Sequence, residues 1–320
     1  MKRKLFLNLI AILLVPISII LFQSCGKDDE VLPPPPPTDT LSAGWQKIYV
    51  DTSTFIIDIS FPTQQIGYVC GNRYLGKSID GGLTWTKFNF PDSLNGQFSY
   101  LFFINQNTGW ATTANFVLRT TDGGASWKKT ILDRPTDIQF VTQNIGYVAT
   151  GNGLFKSIDG GASFQKIPAA GSNEIYGVFF FDENNGWISG FPHFIQSTQN
   201  GGSSFDKRTD FAEGTYYNIQ FTDANHGWLT GSQTNYIRFT KNAGVSWEQI
   251  GNFANQNDAH FFNANDGYVS NTFAIYRTAD GGTTLTREVY SAASEMLEMC
   301  FTDPNHGWAT AGGYIYRYSK

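Results

Sequence analysis

Residues 103–127 read FINQNTGWATTANFVLRTTDGGASW and contain both motifs that decide the fold. The first motif is a Gly followed by Trp or Tyr, and it recurs at intervals of roughly 40 residues. Its copies are Gly67-Tyr68, Gly109-Trp110, Gly146-Tyr147, Gly186-Trp187, Gly227-Trp228, Gly267-Tyr268 and Gly307-Trp308. The second motif, here named the Asp box, follows six of these copies at residues 78–85, 120–127, 157–164, 198–205, 240–247 and 278–285. Two motifs repeating in step indicate a repeat protein.

Each unit has the pattern of β-strands. A Phe precedes every Gly-aromatic pair by six residues, and an apolar residue stands two positions before each Phe. This spacing of two places both side chains on one packed face of a strand. A turn rich in Asn, Asp and Gly follows, then the Gly-aromatic strand, a third strand, the Asp box and a fourth strand. Four antiparallel strands in about 40 residues predict one blade of a β-propeller.

The seventh unit lacks an Asp box, and its missing strand is found at the other end of the repeat region. Residues 44–48, Gly-Trp-Gln-Lys-Ile, match the segment that follows the Asp box in other units. We expect this N-terminal strand to complete the C-terminal blade, which would remove two exposed sheet edges. The prediction is therefore an all-β, seven-bladed propeller of four-stranded antiparallel blades spanning residues 42–320.

The N-terminal residues predict export and a lipid anchor. Residues 1–24 have a positively charged start, an apolar core and a small residue before Cys25, as in a signal peptide. Cys25 lies where bacterial lipoproteins are acylated. Residues 25–41 form an acidic and Pro-rich tether, whose residues 33–37 favour an extended polyproline helix. We expect a cell-envelope lipoprotein of the outer membrane, exposed at the surface through the acidic residues 28–30.

Composition narrows the classes of partner. Aromatic residues make up 16% of the chain and charged residues 15%, and the net charge is −5. Removal of the basic signal residues makes the mature chain more acidic, whereas nucleic-acid binding needs a basic surface. We therefore expect a monomer that binds protein or glycan and does not bind nucleic acid.

The Asp box resembles the BNR repeat, which is found in sialidases, sortilin-type receptors, xyloglucan hydrolases and the photosystem II assembly-factor family. Together with the Gly-aromatic strands, it looks most like the last of these families, and the resemblance covers residues 42–320. The resemblance implies a seven-bladed propeller that binds protein without catalysis. Nothing in the chain indicates a photosynthetic host, so work on a photosystem is not implied.

Two recurrent features of the boxes have simple structural interpretations. A box Asp can bond the amides of its own turn, and Asn can replace it in that role. The box residues predicted to be structural are Asp80, Asp122, Asp159, Asn200, Asn242 and Asp280. A basic residue precedes most boxes, and these residues, here named the basic row, are Lys77, Arg119, Lys156, Arg277 and Arg317. The row is either a solvated set of charges or a patch that receives a partner, and Ser197 and Phe239 interrupt it.

Polar residues on the first strands suggest a site in the central channel. They alternate with the packed residues and form the predicted channel ring of Asp58, Tyr100, Asp137, Gly177, Asn218, Asp258 and Glu298. Its carboxylates could bind Ca²⁺, a ligand amine or a glycan, or simply face water. No cofactor is required, and Ca²⁺ is the one cation that the ring suggests.

Two functions remain open on sequence grounds. The first is a non-catalytic scaffold that binds a protein partner, and the alternative is a glycan-binding protein or glycosidase that uses Asp58, Asp137, Asp258 and Glu298. A sialidase is disfavoured, because the chain has no Arg-Ile-Pro segment. Cys70 and Cys300 fall in neighbouring blades, and free thiols are favoured over a disulfide.

Overall fold

A computed structural model describes residues 38–51, 55–90, 96–210, 215–232, 237–250, 256–292 and 294–320. These residues form seven antiparallel sheets. The N-terminal strands are β1 (Thr40–Leu41) and β2 (Trp45–Tyr49). Blade one contains β3 (Ile56–Ser60), β4 (Gly67–Gly71), β5 (Tyr74–Ser78) and β6 (Thr86–Lys87). Blade two contains β7 (Phe98–Phe103), β8 (Gly109–Thr113), β9 (Phe116–Thr120) and β10 (Lys128–Ile131).

The next three blades repeat this order. Blade three contains β11 (Pro135–Phe140), β12 (Gly146–Thr150), β13 (Gly153–Ser157) and β14 (Gln165–Lys166), followed by a 3₁₀ turn at Pro168–Ala170. Blade four contains β15 (Glu174–Phe180), β16 (Gly186–Phe191), β17 (Phe194–Thr198) and β18 (Asp206–Asp210). Blade five contains β19 (Thr215–Phe221), β20 (Gly227–Ser232), β21 (Ile237–Thr240) and β22 (Glu248–Ile250).

The last two blades contain the ends of the propeller. Blade six contains β23 (Gln256–Phe261), β24 (Gly267–Asn271), β25 (Ala274–Thr278) and β26 (Thr286–Tyr290). Blade seven contains β27 (Met296–Asp303), β28 (His306–Ala311) and β29 (Tyr314–Ser319). In the described ranges no helix has the length and apolar character to cross a membrane.

The predicted closure is confirmed. Strand β2 pairs antiparallel with β29, so that the N-terminal strand becomes the outer strand of blade seven. Strand β1 adds a fifth strand to blade six by pairing with β26. The sheets therefore begin at Thr40, two residues before the predicted start at Ser42. Asp39 secures this segment, because it accepts hydrogen bonds from Lys47 Nζ, the Ala292 amide and the Tyr316 hydroxyl.

The Gly-aromatic motif is explained by one repeated packing unit. Phe103 lies flat over Gly109 of its own blade, where any side chain would overlap the ring. The other face of Phe103 stacks on Tyr68 of the preceding blade, with ring centroids 3.5 Å apart and planes at 3°. Equivalent stacks join all the blades as Trp110–Phe140, Tyr147–Phe180, Trp187–Phe221, Trp228–Phe261, Tyr268–Phe301 and Trp308–Phe61. The motif thus records contacts between blades as well as within them.

The same aromatic side chains reach the Asp box of the next blade. Trp110 Nε1 donates to the Gly160 carbonyl at 2.8 Å, and Trp308 Nε1 donates to the Gly81 carbonyl at 2.8 Å. At two of the three positions where a Tyr replaces Trp, the hydroxyl donates to a turn of the next blade, as Tyr68 does to the Gln106 carbonyl and Tyr147 to the Glu183 carbonyl. Six of the seven second strands are therefore tied to the next blade by a stack and a hydrogen bond, whereas blade six, where the Tyr268 hydroxyl makes no such bond, is joined by the stack.

We expect Gly109→Ala to destabilise the propeller by about 1–3 kcal/mol, because the new methyl group would overlap the Phe103 ring. Chemical denaturation of the variant and the wild type measures the difference in the free energy of unfolding. Gly96→Ala is the matched control, since a methyl group there comes no closer than 3.3 Å to the Thr113 methyl carbon. Equal stabilities of the two variants would contradict this account of the motif.

Candidate functional site

The first strands of the blades line a central channel with a volume of about 540 Å³. Each first strand has an irregular register at the position of the channel ring, as between Ile56 and Asp58. The other blades show the same shift. Such bulges redirect side chains. The residues of the predicted ring that line the channel are Asp58, Tyr100, Asp137, Asn218, Asp258 and Glu298.

The ring aspartates hold the blades together. Asp58 accepts a hydrogen bond from the Ile59 amide through Oδ1, and another from the Leu101 amide of blade two through Oδ2, both at 2.6 Å. These amides lie on innermost strands, where no further strand can pair with them. One carboxylate therefore satisfies an inward amide of its own blade and one of the next blade.

Asp137 and Asp258 repeat this arrangement. Asp137 accepts from the Ile138 amide at 2.7 Å and from the Val178 amide of blade four at 2.9 Å. Asp258 accepts from the Ala259 and Met299 amides, both at 2.7 Å. Three aspartates thus serve the blade pairs one–two, three–four and six–seven. Because the number of blades is odd, blade five belongs to none of these pairs. There, Asn218 Nδ2 donates to Asp258 Oδ1 instead.

This arrangement bears on the Ca²⁺ alternative, which stays a prediction from the sequence. Among the described residues, no group of three or more His, Cys, Asp or Glu side chains is placed to hold a metal ion. The oxygens of Asp58, Asp137 and Asp258 point at backbone amides of different blade pairs. The ring therefore does not gather Asp58, Asp258 and Glu298 into one cation site.

The channel environment raises the pKa of every ring carboxyl group. Burial is the main cause, and it brings the pKa of Asp58 to about 8, that of Asp137 to about 7 and that of Asp258 to about 6. Accepted amide hydrogen bonds oppose the shifts, and repulsion from neighbouring carboxylates adds to those of Asp58 and Asp137. Burial also raises the pKa of Glu298, whose half-buried carboxylate accepts no hydrogen bond from the described residues.

A second set of side chains joins the first strands one step further along. The amides of four of the stacking Phe residues donate to side chains of the preceding blade, as Phe103 N does to Ser60 Oγ and Phe180 N to Gln139 Oε1. At the closure of the ring this acceptor is Cys300 Sγ, 3.3 Å from Phe61 N. Cys300 and the buried Cys70 are free thiols, as the sequence favoured. Burial raises the pKa of Cys300 to about 12, and that of Cys70 is raised as well.

The Asp boxes have the local bonding that the sequence predicted. In blade two, Asp122 Oδ1 accepts from the Thr120 hydroxyl and the Ser126 amide, while Oδ2 accepts from the Ser126 hydroxyl. Asp80, Asp159 and Asp280 repeat this pattern. In blades four and five, Asn200 and Asn242 reverse one bond, since Nδ2 donates to the hydroxyl of Ser204 or Ser246. These side chains lie away from the channel lining and stabilise turns.

The basic row packs between blades. Lys77 Nζ donates to the Gly123 carbonyl at 3.0 Å, Lys156 Nζ to the Gly201 carbonyl at 3.3 Å, and Arg317 Nε to the Gly81 carbonyl at 2.9 Å. Arg119 packs against Gly160, and the Arg277 guanidinium lies 5.9 Å from the Tyr268 ring centroid. All five side chains are half-buried. The row is therefore built into the blade interfaces.

A cluster at the mouth of the channel was missed by the sequence reasoning. Arg134 Nη2 donates to Glu174 Oε1 at 2.8 Å, and the Tyr176 hydroxyl donates to Glu174 Oε2 at 2.6 Å. The Tyr217 ring lies edge-on to Tyr176, with centroids 5.4 Å apart, and is 44% exposed. This mouth cluster joins blades three, four and five. Tyr176 and Tyr217 both stand four residues before the stacking Phe of their blades, but no other blade has a Tyr at this position, so no repeat motif marks the cluster.

The ring carboxyl groups should make the stability depend on pH. A carboxyl group with a raised pKa binds a proton in the folded state that the unfolded chain has lost, so stability falls as the pH rises toward the folded pKa. We therefore expect the free energy of unfolding to decrease between about pH 6.5 and about pH 8, as Asp137 and Asp58 ionise. The lowered pKa of His260, about 4, acts in the opposite sense only below this range.

Denaturation at several pH values tests this expectation, and Asp58→Asn should flatten the decrease. Asp122→Asn is the matched control, because the pKa of Asp122 is about 2 and Asn occupies the same position in two other boxes. Equal pH profiles for the two variants, or stability that rises across the range, would contradict the role of the ring.

Comparisons with known proteins agree with the fold and the motifs. Residues 38–135 match the family model described as photosynthesis system II assembly factor YCF48. The photosystem II assembly lipoprotein Ycf48 of Synechococcus sp. (strain CC9902) is 31% identical over 96 residues, which cover 29% of this chain and 28% of that protein. The chain thus spans less than a third of this relative's length.

Two solved structures share the architecture. "YCF48 bound to D1 peptide" has a TM-score of 0.72 and 20% identity, over 87% of this chain and 97% of that one. YCF48 from Cyanidioschyzon merolae has a TM-score of 0.71 and 19% identity, over 87% and 99%. The predicted resemblance is confirmed: the chain is a BNR-type seven-bladed propeller similar to the photosystem II assembly-factor family.

Proposed function

We propose that this chain is a non-catalytic, lipid-anchored propeller of the cell envelope that binds a protein partner. The observation that carries the proposal is the bonding of the channel aspartates. Each of the three accepts hydrogen bonds from two backbone amides of neighbouring blades. The names of the relatives support it, since they describe an assembly factor, and one related structure holds a peptide.

The glycosidase alternative is weakened by the same geometry. Cleavage of a glycosidic bond needs a carboxylic acid and a second carboxylate at a defined separation. Asp58, Asp137 and Asp258 are engaged by amides, so Glu298 is the only ring carboxylate without a hydrogen bond from the described residues. A single carboxyl group does not supply both roles.

The mouth cluster is the surface that we assign to the partner. Tyrosine rings offer apolar area together with a hydroxyl group, a combination enriched at protein interfaces. Tyr176 and Tyr217 line the channel, and Arg134 and Glu174 place a charge of each sign beside them, with 54% and 37% of their side chains exposed. A peptide segment entering the channel would meet these four residues first.

The anchor completes the proposal. Cys25, the signal peptide and most of the tether lie outside the described residues, so their interpretation rests on the sequence and on the relative whose name includes lipoprotein. A lipidated Cys25 would hold a monomeric propeller at the outer membrane, with the acidic residues 28–30 favouring its outer surface. The Pro-rich segment would act as a semi-rigid spacer.

Loss of the mouth tyrosines should weaken peptide binding. Peptides of random sequence displayed on phage are selected against the full chain in detergent, and their affinities are then measured by fluorescence polarisation. We expect Tyr176→Ala with Tyr217→Ala to weaken the selected peptides about tenfold or more, because buried aromatic anchors dominate binding energy.

The matched control is Tyr49→Ala with Tyr314→Ala, which removes a second edge-on pair with centroids 5.9 Å apart and should leave peptide binding unchanged. Equal losses in both double variants would remove the mouth cluster from the proposal. Selection of no peptide, together with stabilisation of the chain by a soluble glycan from a panel, would overturn protein binding in favour of the glycan alternative.

Cys25→Ser should release the protein from membranes. Metabolic labelling with an alkyne-bearing palmitate, followed by fractionation, is expected to show label and membrane association in the wild type and neither in the variant. Cys70→Ser is the matched control, because this thiol is buried inside blade one. Label retained in Cys25→Ser would refute the anchor.

A further inference from the structure

One position of the repeat faces the aromatic residue of the second strand across the hairpin. In five blades this position holds the basic row, as in the pairs Tyr68 with Lys77 and Trp308 with Arg317. Blade four has Ser197 opposite Trp187, and blade five has Phe239 opposite Trp228. These two exceptions were the interruptions of the row seen in the sequence.

The basic side chains fill the gap between adjacent blades. Lys77 lies over the Tyr68 ring, with Nζ 5.4 Å from its centroid, and donates to the Asp box carbonyl of Gly123 in the next blade. At the interface of blades seven and one, the Gly81 carbonyl accepts from both Trp308 Nε1 and Arg317 Nε. The filled gap thus has an aromatic wall and a carbonyl acceptor.

Blade four leaves this gap open. A recess of about 300 Å³ lies between blades four and five, lined by Phe181, Trp187, Ser197, Ala224 and Ala243, with Asp182 among its polar residues. In blade five Phe239 occupies the equivalent place, because its ring lies 5.1 Å from that of Trp228. The recess is therefore the position of a missing basic side chain.

The Asp box of blade five, which faces this recess, also differs from the other boxes. Ala243 stands at φ 58°, where the other boxes have Gly. A methyl group at Gly123 would lie 2.9 Å from Lys77 Nζ, and one at Gly160 would lie 2.8 Å from Arg119 Cζ. The Ala243 methyl group is tolerated because Ser197 is short.

An arginine still fits beside this methyl group. In the pose of Arg317, the guanidinium would lie 3.6 Å from a methyl group at Gly81, which is an ordinary van der Waals distance. The Ala243 carbonyl accepts from Trp187 Nε1 at 3.2 Å, and the equivalent Gly81 carbonyl accepts a guanidinium as well. The recess keeps both features that hold Arg317.

The charge of the rim favours a cation. Asp182 is exposed, and hydrogen bonds from the Asn185 side chain and the Asn184 and Asn185 amides hold its pKa below the usual value, so it is negative at neutral pH. Glu183 beside it is also exposed. A guanidinium donates planar, charge-assisted hydrogen bonds to such carboxylate and carbonyl oxygens better than an ammonium group does.

We propose that the recess between blades four and five binds an arginine side chain of a partner protein, in the place that the basic row fills elsewhere. This site is separate from the mouth cluster and lies at the other end of blade four. Glu174 pairs with Phe191 at one end of strands β15 and β16, whereas Trp187 lies at the other end, next to the pair Phe180 and Gly186. It rests on the proposed function only in that its occupant is a protein.

The test titrates the full chain in detergent with N-acetylarginine amide, N-acetylcitrulline amide and N-acetylleucine amide. Citrulline has nearly the shape of arginine without its charge. The indole N–H signal of Trp187, assigned with Trp187→Phe, reports binding in ¹⁵N-TROSY spectra. We expect arginine to shift this signal with an affinity about tenfold or more above that of citrulline.

Ser197→Arg should fill the recess, abolish the shift and raise the melting temperature. Ser203→Arg is the matched control, because it adds the same charge at an exposed position of the Asp box of blade four and should leave arginine binding unchanged. If Ser197→Arg does not fold, Asp182→Asn serves instead. It should weaken the binding of the arginine compound more than that of the citrulline compound.

Absence of a shift with arginine, an equal response to citrulline, or a stronger response to leucine would overturn the proposal. The peptide test at the channel mouth uses different variants, Tyr176→Ala and Tyr217→Ala. Either result can therefore fail while the other holds.

Discussion

The structure depends on a phenylalanine ring held between a glycine and an aromatic ring. Phe103 covers Gly109 in its own blade and stacks on Tyr68 of the preceding one. Because this unit recurs at every interface, it fixes the spacing of the blades and brings the Trp or Tyr of a blade to the Asp box of the next blade wherever that blade has one. The hydrogen bonds from Trp110 and Trp308 to the box carbonyls then follow from the same placement.

The channel shows how an odd number of blades is accommodated. Each ring aspartate accepts hydrogen bonds from amides of two blades, so three aspartates serve six blades, and the remaining blade, blade five, has Asn218 at this position. The sequence suggests that these aspartates form a binding site. Their hydrogen bonds show that they hold neighbouring blades together. The mouth cluster and the recess, which we propose as surfaces for partners, lie at opposite ends of blade four.

Deviations from the repeat are more informative about function than the repeat itself. The motifs predicted the sheet order and the closure by β2, because both depend on a period that recurs along the chain. They also predicted the box bonds of Asp122, which form within one turn. Ser197 interrupts the basic row in the sequence, and its short side chain is what opens the recess.

The sequence by itself determined the all-β fold, the number of blades and the local role of the Asp boxes. A strand period assigns side chains to faces, and a turn motif bonds within a few residues. Only the tertiary structure decided which amides donate hydrogen bonds to Asp58 and which carbonyls accept hydrogen bonds from Lys77 and Arg317. It alone also decided that the rings of Tyr176 and Tyr217 are in contact. Those contacts join residues of different blades, and their geometry depends on the bulges and on how each pair of blades packs.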